Sequence, residues 1–278
     1  MRKLFLVILV SLFAVSAQAA FLNIMSPVQQ RMGAYESVDL GIAGPGQTIT
    51  LVVGRESDGT TIGYNPQAWD NVTPLDVPPG WEVEGAREYP MKVKIKIAPD
   101  APNTIYNLTL MAKDEGKADG TGYDNIGNLT FFAAVTVSTD VINISVSPSQ
   151  VMTGVGQPAA YMVAITNRGS ASDPFQIRVK DGLSAWRYEK QVLVNYNSTR
   201  VVPYEVVLNE IGEKNFTLEV SSLSSPLIKQ ELPLSVVAEG DVLQDWRATT
   251  HGLMLFPILL EPLYAVMGLI GNLVGYIG

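Results

Sequence analysis

Along the middle of the chain, apolar and polar residues alternate one by one. Lys92-Val93-Lys94-Ile95-Lys96-Ile97 is the clearest case, with lysines on one side and branched aliphatics on the other. A period of two belongs to a strand with one face in water and the other in a core. Residues 48–53, 106–110, 131–137, 161–166, 175–179, 201–208, 216–220 and 232–237 repeat the pattern, with clusters of Gly, Pro, Asn and Asp between them. No stretch between residues 20 and 238 carries the 3.6-residue period of an amphipathic helix. Short strands separated by turn residues about every ten positions predict an all-β protein of antiparallel sandwiches.

The two ends break this pattern. Residues 253–277 are apolar almost throughout, with one carboxylate, Glu261. At roughly 1.5 Å of rise per residue this length crosses a bilayer core, which predicts a C-terminal transmembrane helix after a linker at 239–252. At the other end, Arg2 and Lys3 precede an apolar run of residues 4–15 and the small-x-small tripeptide Ala17-Gln18-Ala19. That is the layout of a secretory leader, so residues 1–19 are expected to be a signal peptide. The expected topology is single-pass type I in the cell membrane, with the ectodomain outside. No Lys or Arg follows residue 253, so positive-inside retention is missing. A kinked or re-entrant helix held by a partner is the alternative.

The expected helix is two-faced. At 100° per residue, Glu261, Gly268 and Gly275 fall close together and Ala265, Gly271 and Asn272 flank them. This small and polar stripe, with Gly271 and Gly275 in a GxxxG, suits the close approach of another helix. A carboxylate about 12 Å deep costs several kcal/mol unless neutralised or paired. Three outcomes remain open: a basic residue of a partner helix pairs with Glu261, the acid stays neutral inside a dimer, or Pro257 and Pro262 bend the helix so that it reaches the interface. The first two predict an integral-membrane protein partner.

Between leader and linker the chain repeats itself. Gly44-Pro-Gly-Gln47 and Gly154-Val-Gly-Gln157 each precede a strand. Pro79-Gly-Trp81 and Ser184-Ala-Trp186 correspond in position, and so do Tyr106-Asn-Leu-Thr-Leu110 and Lys214-Asn-Phe-Thr-Leu218. Two domains follow, at 20–139 and 140–238. Ile144-Ser-Val-Ser-Pro-Ser-Gln150, Gly156-Gln157, Tyr161-Met-Val-Ala-Ile-Thr-Asn167-Arg-Gly169 and Phe216-Thr-Leu-Glu-Val220 resemble the Ig-like modules of archaeal and bacterial surface proteins, of the cell-adhesion-related and α-galactosidase-associated types. The resemblance implies two tandem Ig-like sandwiches and no activity. It also implies a tight turn at Asn167-x-Gly169, with the glycine at positive φ. The first copy differs by two longer segments, 55–79 and 113–128. The second of these is acidic and glycine-rich, but its spacing is not that of a calcium loop, and no metal is expected.

Composition narrows the setting. The formal charge of -8 becomes about -10 once Arg2 and Lys3 leave with the leader, which argues against nucleic acid as a partner. There is no cysteine, so disulfides and thiolate metal sites are excluded. Six N-x-[ST] acceptors, Asn71, Asn107, Asn128, Asn143, Asn197 and Asn215, all lie between leader and anchor. An exported, disulfide-free, sequon-rich chain is expected of an archaeal surface glycoprotein.

Catalytic patterns do not emerge. One histidine, His251, and no cysteine cannot build a triad or a zinc cluster. A paired-carboxylate glycosidase would need a deep cleft, which small Ig-like modules lack. No enzyme activity and no cofactor are expected. The expected function is that of an accessory or structural subunit of a membrane protein complex. The alternative is an adhesin binding glycan or an S-layer through Trp69, Asp70 and Trp81. For the tryptophans the competing role is a plug in the core.

Overall fold

The computed structural model describes residues 21–54, 69–85, 87, 90–114, 127–183 and 188–240. The leader, the linker, the expected membrane helix, Trp186 and most of the two longer segments lie outside them. All regular structure among the described residues is β.

The first sandwich contains β1 (Leu22–Ser26), β2 (Gln30–Met32), β3 (Ser37–Ala43), β4 (Thr48–Val53), β5 (Asn71–Asp76), β6 (Glu82–Glu84), β7 (Met91–Lys96), β8 (Ile105–Lys113) and β9 (Asn128–Val137). One sheet has the order β2-β1-β4-β7-β6 and the other β3-β9-β8-β5. The second sandwich contains β10 (Ile142–Ser147), β11 (Gln150–Gly154), β12 (Pro158–Asn167), β13 (Asp173–Asp181), β14 (Glu189–Val194), β15 (Ser198–Val207), β16 (Gly212–Ser222) and β17 (Lys229–Glu239). Its sheets run β10-β12-β15 and β11-β17-β16-β13-β14. Both halves are Ig-like β-sandwiches.

The alternation read from the sequence sets which side chains turn inward. Along β7, Met91, Val93 and Ile95 are buried and the three lysines exposed. β9 buries Leu129, Phe131, Ala133, Val135 and Val137 in strict alternation. Each such Val, Leu, Ile, Met or Phe side chain contributes roughly 1.5–3 kcal/mol by leaving water. Two cores result, one around Trp69, Phe131 and Leu51, the other around Tyr161, Phe175 and Tyr204.

The sheets are not wholly antiparallel, contrary to the sequence expectation. β3 runs parallel to β9 and β11 parallel to β17. In each half the opening strand ends at a cis Ser-Pro bond, Ser26-Pro27 or Ser147-Pro148. In the second half the chain then crosses to the other sheet and joins its last strand as β11; in the first it turns back on β1 as β2 before β3 crosses and joins β9. The longer segment of the first copy is also not all loop, since β5 falls within it and pairs with β8.

The duplicated glycine turns are superposable in their bonding. Gln47 N donates to Gly44 O at 3.2 Å and Gln157 N to Gly154 O at 3.0 Å. Gly46 and Gly156 both adopt φ 76°, a value a β-carbon disfavours.

Candidate functional site

The expected ligand surface does not exist as such. Trp69 is fully buried, and its indole Nε1 donates to Phe21 O at 2.9 Å. Asp70 is buried beside it, and Trp81 is buried with its ring 5.1 Å from that of Tyr106. A large ring gains more by filling the gap between sheets than by standing in water, so both tryptophans act as plugs. Asn71 is likewise corrected as an acceptor: it is only 7% exposed, whereas Asn107, Asn128, Asn143, Asn197 and Asn215 are all exposed. The stripe Glu261, Ala265, Gly268, Gly271, Asn272 and Gly275 lies outside the described residues.

What the sequence reading missed is the joint between the sandwiches. At the start of β13, Asp173 is fully buried and accepts three hydrogen bonds of 2.6 Å. Ser222 Oγ and Ser224 Oγ donate from the second sandwich, and Gln47 Nε2 donates from the first. The Oε1 of Gln47 in turn accepts from Gly44 N at 2.7 Å. One duplicated turn has thus been recruited to bridge the halves. A buried carboxylate is tolerable here because each oxygen has a donor.

Around this centre the two backbones come close. Ser170 N donates to Ile42 O at 2.6 Å. A β-carbon on Gly44 would lie 2.2 Å from Ile228 Cδ1, and one on Gly46 2.4 Å from Ser224 O. Gly169 corrects the expectation drawn from the Ig-like resemblance: it is absent from the positive-φ glycines. Its constraint is space, since a β-carbon would meet Ile42 O at 3.2 Å. The turn itself is held by Asn167, which accepts from Gly169 N at 2.9 Å and donates to Ala171 O at 2.8 Å. Ser26 Oγ and Tyr196 OH add a further bond across the joint at 3.3 Å.

The four outward sheet faces differ in charge. On the first sandwich, the face of β4, β6 and β7 is laced by ion pairs: Lys94 with Glu84 at 3.2 Å and Lys96 with Glu82 at 3.0 Å. On the second, Arg178 holds the buried Glu219 with two nitrogens, Nε at 2.8 Å and Nη2 at 2.7 Å. Lys180 binds Glu231 at 2.9 Å, and each raises the partner's charged form: Glu231 lifts the lysine above its ordinary range, and Lys180 holds the carboxyl below its own. The other two faces lack such ladders. The outer face of β10-β12-β15 presents Ser145, Ala160, Met162, Ala164, Val201 and Pro203, with Glu205 as its one charge. Along β8 and β9 the outward residues from Ile105 to Met111 and from Asn128 to Thr136 are uncharged, with Lys113 at the end of β8 and Asp39 on the neighbouring β3.

Chemistry beyond this is sparse. Among the described residues no group of three or more His, Asp or Glu side chains converges on a metal-sized site. A shallow recess at the open edge between β14 and β15 is lined by Tyr188, Lys190, Pro203 and Glu205. Lys190 Nζ donates there to Pro203 O at 2.7 Å.

No family model matches the chain, and no curated protein does. Among solved structures it is similar to WR4, an MSP family member of C. elegans, at 12% identity over 34% of this chain and 97% of that one, with a TM-score of 0.24. It is similar to the CARDB domain of the PF1109 protein of Pyrococcus furiosus, solved in complex with di-metal ions, at 16% identity over 35% and 90%, with a TM-score of 0.26. A chimeric titin Z1Z2 matches at 10% identity over 80% and 99%, with a TM-score of 0.35. None of the three supplies a ligand, partner or activity for this chain.

Proposed function

We propose that the chain is a non-enzymatic, membrane-anchored surface protein, exported by residues 1–19, whose two Ig-like sandwiches form one stiff arm of a membrane protein complex. The observation that carries this reading is the buried joint at Asp173. A flexible tether between independent domains needs no satisfied carboxylate in its seam. A protein whose task is to hold a distal surface in a set place does, because such a network tolerates one geometry.

Chain direction orients the arm. β17 leaves the joint next to Ile228 and ends at Glu239, roughly 35 Å away at the rise of a strand. With the anchor at 253–277, the second sandwich stands nearer the membrane and the first is distal. The helix face of Glu261, Ala265, Gly268, Gly271, Asn272 and Gly275 docks the arm onto an integral-membrane partner. The motif around Asn167-Arg-Gly169 supports an Ig-like module of the cell-adhesion-related or α-galactosidase-associated type, as in archaeal and bacterial surface proteins.

The test is purification from native membranes in mild detergent. A multi-span protein should accompany the full chain, and Glu261→Leu should weaken the association. Recovery of a solitary monomer would overturn the reading. The rival reading as an adhesin has lost Trp69, Asp70 and Trp81 to the core. Glycan or S-layer binding by a soluble form ending at residue 238 would revive it.

A further inference from the structure

The exposed N-x-[ST] acceptors are not scattered evenly over the four sheet faces. Asn107 and Asn128 project from the face of β8 and β9, which carries Lys113 and, on β3, Asp39 but no ladder of ion pairs. Asn143 projects from the ladder-free face of β10-β12-β15, and Asn197 lies in the turn that enters β15. Asn215 alone sits on a face with an ion-pair ladder, and the lysine-glutamate face of β4, β6 and β7 has none. If the tripeptides merely reflected the threonine content of strands, the faces with ion-pair ladders would carry them as often.

From this partition we propose that Asn107, Asn128, Asn143 and Asn197 carry N-linked glycans, and that these glycans cover the two sheet faces without ion-pair ladders. The proposal rests on the reading that the chain is exported. In each tripeptide of the strands, the period of two places the asparagine and the hydroxyl residue on the same side: Asn107 with Thr109, Asn128 with Thr130, Asn143 with Ser145. None of the four side-chain amides makes a hydrogen bond to another described residue, so the nitrogen is available.

The chemistry is substitution at an anomeric carbon. The side-chain amide nitrogen forms a bond to C1 of the first sugar of a lipid-phosphate-linked oligosaccharide. The C1–O bond to the phosphate breaks, the lipid phosphate leaves with the electron pair, and the amide gives up one proton. Nothing is oxidised or reduced. The transferase and the lipid donor are the host's.

Placement makes the covering effective. Asn107 is opposite Ala134 and Asn128 opposite Lys113, so the two stand roughly 20 Å apart by strand rise at either end of Thr109, Met111, Thr130 and Phe132. Asn143 is in register with Thr166, and Thr166 with Thr199, so Asn143 and Asn197 flank the same end of their sheet. Sheet faces with few charges favour association when left bare; hydrated sugar prevents it. Asn71 is the internal control. A glycan cannot be housed on a side chain buried at 7% exposure, so the folded protein carries none there.

The experiment is peptide-level mass spectrometry of the full chain purified from membranes of its own source cells. Glycan additions are expected at Asn107, Asn128, Asn143 and Asn197, with Asn71 unmodified. Two paired variants, Asn107→Gln with Asn128→Gln and Asn143→Gln with Asn197→Gln, should keep the strand signal in circular dichroism. Each should bind an apolar dye several-fold more and form concentration-dependent dimers, whereas Asn215→Gln should not. Bare asparagines on a chain whose leader has been removed would overturn the proposal and leave the export reading standing. So would glycosylated asparagines whose loss changes neither dye binding nor association. A chain that keeps residues 1–19 and stays in the cytoplasm would overturn the export reading, and this proposal with it.

Discussion

Gln47 Nε2 donates to Asp173 Oδ2 at 2.6 Å, across 126 positions of sequence and from one sandwich into the other. The same carboxylate is shared with two serines of its own sandwich. The orientation of the halves therefore depends on a group that also organises the second core's rim.

Removing the acceptor should do more than removing one donor. Asp173→Ala strands two buried donors, Gln47 Nε2 and Ser222 Oγ, and frees the exposed Ser224; it should cost about 3 kcal/mol in urea denaturation. Gln47→Ala should cost about 1–2 kcal/mol while leaving both cores intact. Because the chain has no cysteine, Lys92→Cys with Lys229→Cys gives two unique label sites, one on each sandwich. The distribution of distances between the labels should broaden in Gln47→Ala. An unchanged distribution would show that this bond does not set the angle.

The paired glycines separate the joint from the turn. Gly46 and Gly156 share φ 76°, yet a β-carbon on Gly156 would meet nothing within 4 Å. Gly156→Ala should therefore cost about 1 kcal/mol, the backbone penalty alone. Gly46→Ala adds a clash with the Ser224 carbonyl and should both destabilise further and open the seam. Equal melting shifts would place the cost in the turn only.

Ion pairs that look alike should differ in weight. Lys94 and Glu84 are both largely exposed, and Lys94→Ala should change stability by less than about 1 kcal/mol. Glu219 has a side chain 5% exposed, so Arg178→Ala leaves a carboxylate inside the protein without its counter-charge. About 3 kcal/mol should be lost there, in a denaturation curve with an unchanged slope.

At high pH the second core carries its own titration. Tyr161 OH donates to Ser235 O at 2.7 Å, and burial pushes its pKa up to about 12. An unfolded tyrosine ionises near 10. Since the folded value is the higher, the contribution of this group is complete below about pH 10 and is lost as pH rises through about 12. Tyrosinate absorbance should show a late-titrating phenol, coincident with alkaline unfolding, that is lost in Tyr161→Phe.

Much of the architecture was legible because strand alternation is a local signal. All nine strands read from the alternating pattern recur, residues 48–53 coinciding with β4. Strands such as β6, with three residues, and β5, with Pro74 inside it, escaped because the pattern was too short or interrupted. The parallel pairs escaped for another reason: alternation says which side of a strand is buried but not which neighbour it meets. Trp69 and Trp81 could be read either as plugs or as platforms, since burial of a ring depends on the opposite sheet. Gln47 was visible in a repeated turn, but its partner Asp173 sits in Ser-Ala-Ser-Asp-Pro, with no local mark of its role.

The course of β17 has a mechanical corollary. It begins at the seam, ends where the chain leaves the second sandwich, and is bonded to β16 from Lys229 to Ala238 on one side and to β11 from Ser235 to Glu239 on the other. A tug from the C-terminal end would load those two rows of hydrogen bonds in shear, all at once, rather than peel them one after another. Such a strand behaves as a strut, passing tension from the base of the molecule to Asp173.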